Sequence, residues 1–242
     1  MEPDARQIFE REGWLVVPRL LDPKAVKALL TATEALEASA RTLEHDVTLR
    51  GVGFEVQSAS GRKGEPAVFP GALRKITFPS KAKGPFNRLR TDPAVLGALE
   101  ACGLVGPECH VDQVNLKLPR LGTAFPFHQD AHFVVGKTQG RIERKGGLNV
   151  VIALDPADAE NGSFEVLGRT HQAGLIPFPY DLSVRNEGIF DETHRTILDL
   201  QPGDAVLFHP LLAHGSGPNR SDRPRRFVAM WFVGGAPTRT GS

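Results

Sequence analysis

Cysteine is scarce in this 242-residue chain, and long apolar runs are missing. The two cysteines, Cys102 and Cys109, are too few for a disulfide framework, which favours a reducing compartment. No apolar stretch approaches the ~20 residues of a membrane-spanning helix, and the first residues lack the basic-then-apolar pattern of a secretory signal. The sequence therefore predicts a cytoplasmic protein without a membrane partner.

A charge excess of either sign is also missing. The chain carries 29 Lys and Arg against 28 Asp and Glu, a formal net charge of +1. A nearly neutral chain has no long-range attraction for nucleic acid or for an anionic membrane. The content of 40 % hydrophobic and 24 % charged residues is that of an ordinary globular protein.

Helix signals are concentrated in the first 105 residues. Residues 4–12 read as a short helix that ends at Gly13, and a strand follows at 14–17. The pairs Asp22-Pro23 and Asp92-Pro93 each combine an N-cap with a proline at the first helical position. Apolar spacing predicts that the first of these helices runs to about residue 43 and that the second stops at Gly103.

After Gly103 the pattern becomes short and alternating, which is typical of strands. The predicted strands are residues 108–118, 148–154, 163–167, 196–200, 205–208 and 226–233. We predict a mainly β protein with flanking helices, in which residues 1–242 form one domain: an N-terminal helical part, about 1–105, packs on a core of about 106–235. Long loops at 136–147 and 178–194 are candidate lids.

The segment His128-Gln129-Asp130 is the strongest candidate for a metal site. On an extended strand a histidine and a carboxylate two positions apart face the same side, and Phe125, Phe127 and Phe133 surround them with apolar groups. A histidine from a distant strand would complete a two-histidine, one-carboxylate face. That set is typical of non-haem Fe(II), which binds an organic co-substrate and dioxygen at its open positions.

The third ligand has several candidates. We favour His214, because Gly215-Ser216-Gly217 follows it and lets backbone approach a bound co-substrate. Its rivals are His209, at the end of a predicted strand, and two histidines in predicted turns or loops, His171 and His194. A second His-x-Asp, formed by His110 and Asp112, lacks such companions and is interpreted as structural.

Arg225 can supply a cation for the far carboxylate of the co-substrate, since a guanidinium binds a carboxylate through two parallel hydrogen bonds. Alternation predicts that Arg225, Phe227, Ala229 and Trp231 face inward and that Arg226 faces the other way. Arg226 then belongs with Arg220 and Arg223 to a basic surface cluster.

An ordered set of motifs resembles the phytanoyl-CoA dioxygenase family over nearly the whole chain. The matching segments are Phe9-Glu10-Arg11-Glu12-Gly13-Trp14, Phe127-His128-Gln129-Asp130, Ala159-Glu160-Asn161-Gly162-Ser163, Gly168-Arg169-Thr170-His171, Gln201-Pro202-Gly203-Asp204 and His214-Gly215-Ser216-Gly217-Pro218-Asn219. The resemblance implies a double-stranded β-helix, or cupin-like jelly-roll, core with Fe(II), 2-oxoglutarate and O2. By position it implies iron ligands at His128, Asp130 and His214, and co-substrate contacts at Arg225, Lys75, Gln113 and Ser216.

The activity implied is hydroxylation of a small molecule with release of succinate and CO2. The carboxylate of Asp130 favours hydroxylation over halogenation, and no acyl-CoA-binding feature is recognisable. Candidate substrate contacts are His132, Asn149 and Trp231. Two alternatives stay open: a non-redox metal-binding jelly-roll protein (a sensor or small-molecule binder), and a nucleic-acid demethylase, which the neutral charge disfavours.

Overall fold

The structure is a computed structural model that describes residues 4–133, 142, 146–177 and 188–235. Most of the predicted loops at 136–147 and 178–194 therefore lies outside the described residues. The helices are α1 (Ala5–Glu12), α2 (Pro23–Ser39), α3 (Pro85–Leu89) and α4 (Pro93–Ala101), and 3-10 helices cover Pro79–Ala82, Asp130–Phe133 and Thr170–Ala173. The strands are β1 (Trp14–Val17), β2 (Val47–Leu49), β3 (Val52–Val56), β4 (Leu73–Thr77), β5 (Pro107–Lys117), β6 (Phe125–His128), β7 (Gly147–Ala153), β8 (Phe164–Leu167), β9 (Arg195–Ile197), β10 (Ala205–Phe208), β11 (Ala213–Ser216) and β12 (Arg225–Gly234).

The described strands form two antiparallel sheets. The larger has the order β1-β10-β7-β12-β5-β4-β3-β2, and the smaller has the order β6-β11-β8-β9. Strands that are distant in sequence lie side by side, so residues of β6 and β11 meet although about 85 positions separate them. The mainly β, jelly-roll prediction is confirmed.

The helices begin and end as their local chemistry requires. Asp4, Asp22 and Asp92 each accept backbone N–H hydrogen bonds at a helix start, and Gly13 ends α1 in the left-handed region at φ 80°. The predicted end of α2 near residue 43 was wrong, because the helix stops at Ser39. The chain leaves it early so that backbone around Leu43 can pair with residues 67–71.

Apolar residues cover both faces of the larger sheet. One core lies on the helix side and contains Leu29, Leu99, Val114 and Phe232; a second, between the sheets, contains Val166. The sheet takes β1 to β4 from the first 105 residues, although only β1 was predicted there. The division into an N-terminal part and a core within one domain stays a prediction. No helix in the described ranges is long and apolar enough to cross a bilayer.

Candidate metal centre and adjoining cavity

His128 and His214 are direct cross-strand partners at the β6–β11 pairing. Their ring centroids are 4.2 Å apart. Asp130 Oδ1 lies 3.3 Å from His128 Nε2 and 3.6 Å from His214 Nε2. Ligand atoms bound at about 2.1 Å to one ion in adjacent octahedral positions are about 3 Å apart. The three side chains are therefore placed to hold one cation on a single face.

Each imidazole presents Nε2 to the common point. His128 Nδ1 donates to the Pro126 carbonyl at 2.9 Å, and His214 Nδ1 donates to the Leu212 carbonyl at 3.0 Å. Because a carbonyl only accepts, each Nδ1 carries the hydrogen and each Nε2 keeps its lone pair. Burial, aided by the neighbouring His128, lowers the pKa of His214 to about 4. His214 is therefore neutral at physiological pH, the form that binds metals.

Asp130 is fixed by a residue of the opposite sheet. Asn149 of β7 donates from Nδ2 to Asp130 Oδ2 at 2.6 Å, which leaves Oδ1 toward the two histidines. Burial pushes the pKa of Asp130 upward, but the electrostatic interactions with His214, His128 and Lys75 together outweigh burial and hold that pKa below its usual value. Asn149 was predicted as a substrate contact; in the structure it orients a carboxylate.

The three residues converge for a different reason from the predicted one. β6 ends at His128, and Asp130 opens a 3-10 helix, so a continuous strand does not align them. Gln129 lies between them and is completely buried. Its Nε2 donates to the carbonyls of Gly174 and Leu211, and its Oε1 accepts from Ile176 N. This fully paired amide ties the turn to two other segments, a role that no sequence pattern indicated.

Aromatic rings enclose the histidines. The ring of Phe164 stacks on that of His214 with 5.2 Å between the ring centroids, and the Phe208 ring packs on His214 with a centroid distance of 4.6 Å. The rings of Phe125 and Phe133 each form a T-shaped pair with the His128 ring, with centroid distances of 4.7 and 5.5 Å. These rings keep the donor set in apolar surroundings, where charge interactions are strong.

A cavity of about 810 Å³ adjoins the donor set and lies between the sheets. Arg225 lines it and is 3 % exposed. Its Nη1 donates to the Asn115 carbonyl at 3.2 Å, its guanidinium lies over the Phe227 ring, and its Nε has no hydrogen-bond partner in the part of the chain that the structure describes. Burial lowers the pKa of Arg225 to about 9, so the group stays charged at neutral pH. A buried cation without a carboxylate partner is costly unless an anion joins it.

Two lysines also line the cavity. Lys117 is the cross-strand partner of Arg225, and its ammonium donates to the carbonyls of Thr123 and Gly217. Burial first, and then repulsion by Arg225, lowers the pKa of Lys117 well below its usual value. Burial also lowers the pKa of Lys75, against the opposing attraction of Glu55. This end of the cavity is electropositive.

The remaining predicted site residues fall in two groups. The cavity is lined by Gln113, Ser216, Asn149 and Trp231. Trp231 Nε1 is buried and has no hydrogen-bond partner among the residues that the structure describes. His132 lies away from the described cavity wall, where its Nε2 donates to the Ile176 carbonyl at 2.8 Å.

The rival histidines lie elsewhere. The ring of His209 is 5.5 Å from that of His171, close to the end of α1, and His194 is exposed. Asp112 is buried and accepts from Ser80 and Arg90, so it belongs to a structural network. His110, interpreted from the sequence as structural, lines the cavity.

The two adjacent arginines separate as predicted. Arg226 makes two parallel hydrogen bonds to Asp155 at 2.8 Å, on the opposite side of β12 from Arg225 and the cavity. Arg223 pairs with Asp158 at 2.6 Å and is largely exposed.

Comparison with known proteins agrees with this geometry. Residues 9–227 match the family model "Phytanoyl-CoA dioxygenase (PhyH)". The chain is 33 % identical over 244 residues to peroxisomal phytanoyl-CoA dioxygenase of Bos taurus, covering 95 % of this chain and 68 % of the relative. It is 25 % identical over 255 residues to L-proline trans-4-hydroxylase of Streptomyces griseoviridis, and this match covers 95 % of this chain and 85 % of the relative.

Among solved structures, the epimerase SnoN of nogalamycin biosynthesis, in complex with Fe3+, alpha ketoglutarate and nogalamycin RO, superimposes with a TM-score of 0.71 at 19 % identity. The match covers 94 % of this chain and 81 % of SnoN, and it establishes a shared fold. A family match over most of the chain and a relative that is 33 % identical over 68 % of its own length leave one assignment. The chain belongs to the phytanoyl-CoA dioxygenase family, whose members are Fe/2-oxoglutarate-dependent oxygenases.

Proposed function

We propose that this protein is a non-haem Fe(II)- and 2-oxoglutarate-dependent dioxygenase that hydroxylates a small molecule and releases succinate and CO2. The observation that carries the proposal is the pairing, in one cavity, of a two-histidine, one-carboxylate donor set with a buried arginine that has no carboxylate partner among the described residues. The donor set alone would suit a simple metal-binding protein. The buried positive charge of Arg225, which no described carboxylate neutralises, adds a requirement for an organic anion beside the metal.

The donor chemistry fits Fe(II). Two neutral imidazoles and one carboxylate on a single face leave adjacent positions for a chelating co-substrate and O2. In this proposal His128, Asp130 and His214 hold the iron, and Asn149 keeps Asp130 in its orientation. When bound, the iron supplies the activation of O2 and the oxidation of the substrate.

The cavity residues bind and orient the co-substrate. Arg225 pairs with the carboxylate of 2-oxoglutarate that is remote from the metal, which compensates its buried charge. Lys75, Gln113 and Ser216 are proposed as further contacts. The aromatic rings around the histidines keep water from the reacting groups.

Hydroxylation is the proposed outcome because Asp130 occupies the ligand position that a halide would need. The named activity of the Streptomyces griseoviridis relative supports it, whereas the SnoN fold serves an epimerase. Trp231, on the cavity wall, is proposed to contact a small-molecule substrate, with neither nucleic acid nor membrane as partner. His132, which lies away from that wall, and Asn149, which orients Asp130, are not assigned this role. We retain the cytoplasmic location as a prediction, while the bovine relative is named as peroxisomal.

Anaerobic titration with Fe(II) and 2-oxoglutarate, followed by succinate release in air, tests the proposal. Arg225→Met should weaken 2-oxoglutarate binding roughly 10- to 100-fold, since a hydrogen bond to a charged group contributes about 1.5–3 kcal/mol. Arg226→Met is the matched control: the arginine is adjacent but pairs with Asp155 on the other side, so co-substrate affinity should stay at the wild-type value. A protein that binds Zn(II) or Ni(II) tightly and is indifferent to 2-oxoglutarate would instead be a non-redox metal-binding protein.

A further inference from the structure

A β-bulge between β3 and β4 changes which side chains reach the cavity. Leu73 pairs with Val56 and Lys75 pairs with Glu55, so Arg74 is the extra residue between two consecutive pairs. In a regular strand Arg74 and Lys75 would face opposite sides. The bulge bends the strand and brings both side chains to the cavity wall.

Arg74 is only partly compensated. Its Nη2 lies 2.7 Å from Glu55 Oε2, with the two side chains 15 % and 13 % exposed. Its Nε is buried and finds no hydrogen-bond partner within the described ranges. Glu55 is shared, because its other oxygen lies 3.8 Å from Lys63 Nζ.

Positive charge exceeds negative charge on this side of the cavity. Arg62, Lys63, Arg74 and Lys75 line it together with one carboxylate, Glu55, a net charge of +3. If Lys75 binds the co-substrate, three positively charged side chains remain on this side, with Glu55 as the one carboxylate beside them. An electropositive wall of this kind attracts and orients an anionic guest.

The location separates this cluster from the proposed co-substrate site. β5 lies between β12, which carries Arg225, and β4, so the two strands are about 10 Å apart. The ion pair with Glu55 of β3 draws the Arg74 guanidinium further from β12. A co-substrate anchored by Arg225 therefore leaves Arg74 with only the carboxylate of Glu55, which Lys63 shares, among the described residues.

We propose that Arg74, assisted by Arg62 and Lys63, binds an oxyanion of the substrate, so that the substrate is a small organic acid carrying a carboxylate or a phosphonate. This inference rests on the proposed function, because it takes Arg225 and the metal to be occupied by 2-oxoglutarate. Arg74 is then a specificity-determining residue, and the β-bulge is the feature of the fold that places its side chain on the cavity wall.

The experiment uses the full chain loaded with Ni(II) and saturating 2-oxoglutarate. Hexanoate, hexylphosphonate and the uncharged hexanamide are titrated separately by calorimetry. At least one anion should bind about 10-fold or more tightly than the amide, and the better anion identifies the headgroup.

The double variant Arg74→Met, Glu55→Gln removes both charges of the buried pair and should abolish the preference for the anion. Arg74→Lys keeps the charge and should retain part of it. Arg120→Met, at an exposed arginine paired with Asp222 outside this cavity, is the matched control and should bind like the wild type. Circular dichroism and thermal unfolding verify that each variant is folded.

The outcomes separate the two proposals. Failure of the wild type to bind 2-oxoglutarate, seen before any probe is added, refutes the proposed function. Normal 2-oxoglutarate binding with equal affinity for anion and amide, or with no measurable binding of either, refutes only the assignment of Arg74. Displacement of 2-oxoglutarate by the anions also refutes it, because the probe would then occupy the Arg225 site.

Discussion

Asp130 depends on a distant residue for its orientation more than either histidine does. His128 and His214 are each fixed by a carbonyl two positions away in sequence. Asp130 is fixed by Asn149, which belongs to the other sheet. At the scale of single residues, this one hydrogen bond decides which carboxylate oxygen faces the metal position.

Asn149→Leu should therefore weaken metal binding by about 10- to 100-fold, the usual effect of losing a partner that orients a ligand. Titration with Fe(II) or Co(II) under anaerobic conditions measures it. Asn87→Leu, at an exposed position in α3, is the control and should have no effect. Unchanged metal affinity in Asn149→Leu, with loss of substrate-dependent turnover alone, would make Asn149 a substrate contact instead.

At the scale of elements, the junction of α1 with β10 contains a half-buried pair of histidines, His171 and His209. His209 follows β10; its backbone N–H donates to the Gly13 carbonyl, and its Nδ1 accepts from Leu211 N at 3.0 Å. Burial, together with repulsion from His171, lowers the pKa of His209 to about 4. The packing at the end of α1 therefore requires His209 to be neutral.

This predicts acid sensitivity of the metal-free protein. With a folded-state pKa of about 4 for His209 and an unfolded value of about 6.5, the unfolded state binds more protons between these pH values. The free energy of unfolding should fall as pH drops from about 6.5 toward 4. His214 has the same shift and contributes equally.

Urea denaturation at several pH values measures this dependence. His209→Asn keeps an acceptor near Leu211 N but cannot titrate. The free energy of unfolding of this variant should therefore fall less steeply with decreasing pH, and the difference in slope should correspond to at most one proton per molecule. His45→Asn, at an exposed position, should retain the wild-type slope. Parallel curves for wild type and His209→Asn would contradict the prediction.

The elements that the sequence predicted well are those whose pattern is local. β1 and β10 were predicted to the residue, since each is a short apolar run bounded by turn residues. β2, β3 and β4 were missed, because their sequences alternate poorly and because they join the sheet only through the pairing of β4 with the distant β5.

The same distinction applies to the site. The sequence predicted His128, Asp130 and His214 as one ligand set. The predicted alignment of His128 with Asp130 required a continuous strand, but β6 ends at His128, before Asp130. The Asn149–Asp130 hydrogen bond and the bulge at Arg74 could not be foreseen. Both depend on register between strands, which the pattern of a single strand does not specify.

At the scale of the whole molecule, the metal position joins the two sheets. Two ligands come from paired strands of the smaller sheet, and the third is held by a residue of the larger one. The cavity between the sheets also holds Arg225, whose buried charge destabilises the ligand-free protein. Metal and co-substrate should therefore stabilise the fold as a whole.

Thermal unfolding tests this coupling. A ligand at about 100 times its Kd adds about 2.7 kcal/mol, which raises the Tm of a domain of this size by about 5–10 °C. Ni(II) should produce such a shift in the wild type and none in His214→Ala, and 2-oxoglutarate should add a second shift that Arg225→Met lacks. Chelation should reverse both shifts, because a co-substrate that chelates the metal leaves with it. An equal shift with Ni(II) in wild type and His214→Ala would place the stabilising ion at another site and remove the structural basis for the proposed chemistry.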